Sequence, residues 1–258
     1  MEKRQINPNL RKLAELTYNP SLKLPNLEEQ LESPTILTPN IKNNSDYWRI
    51  EGVSYRGKLW DVDLAKTLLD DGNEKTQDEW AQYSKNALSI GSFYVGDMPL
   101  YHSVFGALFS QKGKQESEEA RAFIQKSMRE RYPMTLTRIF YKPKEKDTII
   151  HNYNTADRYS INEDIVGKDR AIIAKDSNAL TALLGEGDIN KIKAIYNWIN
   201  ETDTWIWRLN EKPKSVDERV AWFIADSDRA YLNCNWDPDS SNSSLGVRVV
   251  REAQQKNK

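Results

Sequence analysis

The stretch from Asp226 to Ser244 constrains this chain more than any other, because almost every residue in it is Asp, Ser, Asn or Tyr, or a neighbour of one. Such a tract offers too little apolar surface to build a core. Yet it lies between two apolar strand candidates. VAWFIA (Val220–Ala225) is short, β-branched and aromatic, and LGVRVVRE (Leu245–Glu252) mixes apolar and charged residues as a terminal strand does. A polar surface held on a rigid support is the arrangement of a binding face.

The side chains available there are Asp226, Ser227, Asp228, Tyr231, Asn233, Asn235, Trp236, Asp237, Asp239, Ser240, Ser241, Asn242 and Ser243. Tyr and Trp give large contact area for little rotamer entropy, while Ser and Asn give adaptable hydrogen bonds. In an extended backbone Tyr231, Asn233 and Asn235 share one face, with Leu232 and Cys234 on the other. Cys234 then reads as a small buried hydrophobe rather than a reactive thiol. An inert solvated loop is the competing reading. Calcium is the one cofactor the tract suggests, through Asp226, Asp228, Asp237 and Asp239, although their spacing is not that of an EF-hand loop.

DPDSSNSSLGVRVVR (Asp237–Arg251) resembles the closing segment of formylglycine-generating-enzyme-type C-type lectin folds, typically DPDNRNNNLGFRLVR. The Trp222 strand and the Arg229-Ala230 pair also sit where that family places comparable residues. Within it the chain is most similar to the variable proteins of diversity-generating retroelements. Their C-terminal repeat is mutagenised at adenines, mostly in Asn codons, which puts Asn, Tyr, Asp and Ser at ligand-facing positions. The likeness is specific over residues 220–252, weak back to Asp147 and absent before it.

The resemblance implies an α+β, C-type-lectin-like fold, two helices on a small antiparallel sheet, over residues 86–258. An N-terminal arm and helical extension, residues 1–85, would precede it. It also implies a hypervariable surface that binds a protein ligand or cell-surface receptor, with Gly246 and Arg248 as framework. The oxidase chemistry of the related enzymes needs a cysteine pair, and Cys234 is the only cysteine. The Glu-Pro-Asn or Gln-Pro-Asp unit of sugar-binding lectins is missing.

Other signals point away from catalysis. The only histidines, His102 and His151, sit in no metal or triad spacing, and His151 lies in an amphipathic strand as a structural histidine would. GEGD (Gly185–Asp188) is a helix break with no lysine to follow, not a phosphate loop. The expectation is therefore no enzyme. An assembly protein of a virus and an enzyme of the same fold are the alternatives. A net charge of −1 favours neither nucleic acid nor anionic membrane. No apolar run has the length of a membrane span, and MEKRQINPNL lacks a signal-peptide core, so the default compartment is the cytoplasm or a virion.

Along the rest of the chain, Pro8, Pro20, Pro25, Pro34 and Pro39 break up residues 1–45 into an arm with leucine beads, suited to homo-oligomerisation. Tyr47–Trp60 reads as two short strands, and Asp61 as the cap of a helix over Val62, Ala65, Leu68 and Leu69 that Gly72 ends. Thr76 and Glu79 match a capping box. Gly91–Gly113 reads as an aromatic loop. Ser117 caps a helix over Glu118–Arg131, and strands follow at Met134–Tyr141 and Asp147–Thr155. Asp188 restarts a helix faced by Ile189, Ile192, Ile195, Tyr196 and Ile199, and TWIWRL (Thr204–Leu209) alternates as a strand.

Overall fold

The computed structural model describes residues 38–143, 147–153, 158–161, 178–208 and 214–253. Most of the proline-rich arm therefore lies outside the described residues. In the first part of the chain, alternation decides the structure. Strands β1 (Asn40–Asn43), β2 (Tyr47–Tyr55) and β3 (Lys58–Leu68) form a meander. Trp48, Ile50, Val62 and Leu64 point into the core, while Arg49, Asp61 and Asp63 take the opposite face. The helix expected from Asp61 to Gly72 is thus a strand over most of its length. Val62, Ala65, Leu68 and Leu69 fit a helical period, but Val62 and Leu64 also alternate with Asp61 and Asp63. The turn at Arg56 and Gly57 settles the matter. Both have positive φ, 53° and 73°, as a tight hairpin requires, and β3 leaves it already paired to β2.

Three helices follow. The capping box forms at the start of α1 (Gln77–Ser89), with Thr76 Oγ1 accepting from the Glu79 amide and the Glu79 carboxylate accepting from the Thr76 amide at 2.8 Å. The expected aromatic loop contains α2 (Met98–Phe109), capped by Asp97, whose carboxylate accepts the Leu100 amide at 2.8 Å. This helix is apolar all round and shows no amphipathic stripe, because it is buried on nearly every side. Helix α3 (Gln115–Glu130) starts earlier than expected. Ser117 lies in its first turn, where its hydroxyl donates to the Leu108 carbonyl at 2.7 Å instead of capping the helix.

The second sheet has the order β6-β5-β4-β8-β9-β7, from β4 (Met134–Tyr141), β5 (Asp147–Ile150), β6 (Arg158–Ile161), β7 (Asp203–Arg208), β8 (Asp217–Ala225) and β9 (Arg229–Trp236). All pairs are antiparallel except β7 with β9. Helices α4 (Asn178–Leu184) and α5 (Ile189–Asn200) come between β6 and β7. Asp188 caps α5 by accepting the Asn190 and Lys191 amides at 2.9 and 3.3 Å. The inward faces of α2, α3, α4 and α5 meet those of both sheets in a core that includes Phe105, Ile124, Leu183, Tyr196, Phe223 and Leu232.

Strand β10 (Leu245–Glu252) does not join the strands of the polar tract. It pairs with β3 and completes the first sheet, order β1-β2-β3-β10. The described residues thus hold five helices and two sheets, of four and six strands. This corrects the expected C-type-lectin-like arrangement of two helices on a small antiparallel sheet; the α+β class stands. Strands from either side of residue 85 lie side by side in the first sheet, within a single compact unit, Leu37–Lys258.

Gly246 explains how β10 packs so closely. The β10–β3 register shifts between Leu245 and Val247, and a Cβ at Gly246 would lie 2.8 Å from Leu69 Cδ2 and 3.1 Å from the Ala65 Cβ. We expect Gly246→Val to lower stability by about 1–3 kcal/mol through overpacking, measured by urea unfolding. Arg248, the other residue expected as framework, chelates Asp63 with Nε and Nη2 at 3.1 and 2.6 Å.

Candidate ligand-binding face

The polar tract is built on a strand. β9 runs between β8 and β7, so its backbone is paired on both edges. Ala230, Leu232 and Cys234 are buried in the core, and Tyr231, Asn233 and Asn235 are half-buried on the opposite face. The pairing Tyr231–Ile224 and Asn233–Trp222 on one side, and Tyr231–Trp205 on the other, makes this face a mixture of aromatic and amide side chains. Trp236 stacks on Trp222 with ring centroids 4.1 Å apart. Tyr132, 37% exposed, meets Trp222 edge to face at 5.7 Å. Tyr132 has φ 49°, a left-handed conformation that costs a bulky residue about 1–3 kcal/mol. The carbonyl of the next residue, Pro133, holds it there by accepting the Phe223 amide at 3.0 Å.

The turns at either end of β9 are ordered by their own carboxylates. Asp226 Oδ1 accepts the amides of Asp228 and Arg229 at 3.3 and 2.9 Å, closing the β8–β9 turn. Asp228 pairs with Arg229 at 2.7 Å, which holds its carboxyl below the usual range and the Arg229 guanidinium above its own. That guanidinium lies 5.1 Å from the centre of the Trp205 ring. After β9, Asp237 Oδ1 accepts the Asp239 amide at 2.9 Å, and the Asp237 carbonyl accepts that of Ser240 at 3.0 Å. Asp226, Ser227, Asp228, Asp237, Asp239 and Ser241 are exposed and Ser240 is half-buried.

The end of the tract is different. Asn242, Ser243 and Ser244 are buried. The Asn242 carbonyl accepts the Trp80 indole N–H at 2.7 Å, Ser243 Oγ donates to the Arg131 carbonyl at 3.0 Å, and Ser244 Oγ to that of Met134 at 2.8 Å. Asn242 and Ser243 therefore do not join the outward face proposed for them. Their polar groups tie the sheets to α1 and to the end of α3. Trp205 and Tyr132 belong to the face but were not among the residues expected there. The alternation of TWIW was a signal for the first; nothing local marked the second.

The four aspartates do not converge. Among the described residues no group of three or more His, Cys, Asp or Glu side chains is placed to hold a metal ion. His151 is buried, with Nδ1 3.0 Å from Thr137 Oγ1 and Nε2 2.7 Å from the Ala182 carbonyl. His102, 3% exposed, stacks on Tyr196, and burial pushes its imidazole down to about 4. The unfolded chain takes up that proton near pH 6.5 and the folded one only near pH 4, so the neutral ring contributes stability above pH 6.5 that is lost as pH falls toward 4. We expect His102→Gln to flatten the fall in stability across this window by up to about 3 kcal/mol, measured by urea unfolding at stepped pH.

No family model, no curated protein and no solved structure matches the chain. No helix among the described residues is long and apolar enough to cross a membrane.

Proposed function

We propose that this chain is a binding protein, not an enzyme, and that it recognises a protein ligand or cell-surface receptor through the outward face of β9 and its flanking turns. One observation carries the reading: β9 is locked on both edges and packed on one face, so its other face presents Tyr231, Asn233 and Asn235 on a preorganised backbone. Preorganisation reduces the ordering cost of binding, and aromatic anchors beside adaptable amides are the chemistry of recognition surfaces.

The test uses the triple variant Tyr231→Ala, Asn233→Ala, Asn235→Ala. Its unfolding free energy should fall by only about 1 kcal/mol, since none of the three fills the core. An array of cell-surface proteins probed with the labelled wild-type chain should give binders that the variant no longer binds. Binders that retain the variant equally well would remove the proposal. The resemblance to retroelement variable proteins adds a separate claim, that this face varies. A near-copy of the DNA for residues 220–252, differing at adenines and neighbouring a reverse transcriptase gene, supports it. Genomic flanks without such a copy count against variability and leave binding to be judged on the array.

A further inference from the structure

A second feature lies beside this face, at the edge of the same sheet. Strand β7 is outermost, paired to β9 on one side and to no described strand on the other. Edge strands are ordinarily guarded by lysines, prolines, bulges or short length, which stop them templating another chain. β1, at the edge of the first sheet, fits that habit: it is the four-residue NIKN, with Lys42 in it. β7 does not. Its sequence DTWIWR has no proline or lysine, and it pairs with β9 over six consecutive residues without a register shift.

The free edge of β7 opens onto a cleft of about 370 Å³, lined by Lys193, Ala194 and Asn197 of α5 and by Asp203, Thr204 and Trp205 of β7. Part of its polar lining is left unused by the fold, although the Asn197 amide donates to the Thr202 carbonyl at 3.1 Å. Thr204 is 5% exposed, and its hydroxyl has no hydrogen-bond partner among the described residues. Lys193 and Asp203 carry opposite charges into the lining, and neither forms an ion pair among the described residues. A buried hydroxyl without a partner is costly, and a ligand that supplied one would recover that cost.

We propose that this cleft takes an extended peptide, added as a further strand along β7, with an acidic side chain set against Lys193 and a basic one against Asp203. Main-chain hydrogen bonds to the free edge supply affinity, and the cleft selects the side chains. A peptide fits better than a second copy of the chain. α5 packs against β7 and lines the cleft with it, and a second β7 would arrive with its own α5, whereas a lone peptide carries no such helix and can set opposite charges against Lys193 and Asp203. This does not rest on the β9 reading, which concerns the sheet's face rather than its edge.

The test selects a phage-displayed library of random twelve-residue peptides against the full chain, then measures the winners as synthetic peptides by fluorescence anisotropy. Winners should carry both an acidic and a basic residue. Lys193→Glu and Asp203→Lys should each weaken them by about tenfold. Lys42→Glu, at the guarded edge, should leave them unchanged. Bound peptide should slow hydrogen exchange within residues 203–208. The proposal is overturned if nothing enriches above a bait-free selection, or if the winners bind both reversed variants as tightly as wild type. It is equally overturned if protection falls elsewhere than β7, or if light scattering shows a dimer whose β7 amides are already protected without peptide.

Discussion

Asp63→Ala should lower the stability of this chain by about 3–5 kcal/mol. The Asp63 side chain is fully buried on the outer face of the first sheet, between two arginines. Arg49 reaches it from β2 with Nε and Nη2 at 2.6 and 2.9 Å, and Arg248 from β10 with Nη2 at 2.6 Å. The carboxylate raises the Arg49 guanidinium above its ordinary range, chiefly through this hydrogen bonding. Arg248 is further fixed over the rings of Phe93 and Tyr47, at 4.7 and 5.4 Å from their centres. Removing the carboxylate leaves two guanidinium groups close together with no shared acceptor, and the join between β3 and β10 loses its centre. Both arginines are about a quarter exposed, so water offsets part of the loss and the lower end of the range is expected. Asp63→Asn, which keeps the shape but not the charge, should fall between. Urea unfolding with an unchanged slope measures this, and a loss under about 1 kcal/mol would contradict it.

Phe223→Ala should cost about as much, some 3–5 kcal/mol, for a different reason. Phe223 points from β8 into the core, 1% exposed, among three rings: Phe105 at 5.5 Å, Tyr101 at 5.9 Å and Tyr196 at 6.3 Å between centroids. These rings come from α2 and α5, and Tyr101 also donates from its hydroxyl to the Leu245 carbonyl at 2.7 Å. The neighbours are held by their own partners and cannot collapse into the space left by the ring. The cost is therefore the lost burial together with the cavity. Phe223→Leu should recover most of the stability; if the two variants are equal, the cavity argument fails.

How much of this was legible in the sequence varies from residue to residue. The period-two pattern Ala230–Leu232–Cys234 against Tyr231–Asn233–Asn235 could be read directly, since only one register of a strand puts the apolar set inside. The Thr76–Glu79 capping box was equally plain, being wholly local. Residues 61–69 fitted two periods, and only the hairpin turn and the pairing to β2 and β10 chose between them. α2 lacked the stripe that marks a helix, because it is buried all round. Asn242 to Ser244 look like surface by composition. A serine hydroxyl, however, can donate to a backbone carbonyl and be buried without penalty, and no local pattern reveals that. The pairing of β10 with β3 could not be read at all: it joins residues at opposite ends of the chain, and the segments bounding the polar tract turned out to belong to different sheets. The likeness of residues 237–251 to a lectin-type closing segment therefore described a local stretch and not the fold around it.

If β9 carries the fold on one face and recognition on the other, as proposed, its two faces must differ in the substitutions they accept. A saturation scan of residues 226–244, read as the amount of folded protein displayed on cells, tests it most directly. Tyr231, Asn233 and Asn235 should accept most side chains, while Ala230, Leu232, Cys234 and the buried Ser243 and Ser244 should accept few. Outward positions as intolerant as their inward neighbours would mean that those side chains serve the fold, and the surface would lose its claim to be a recognition face.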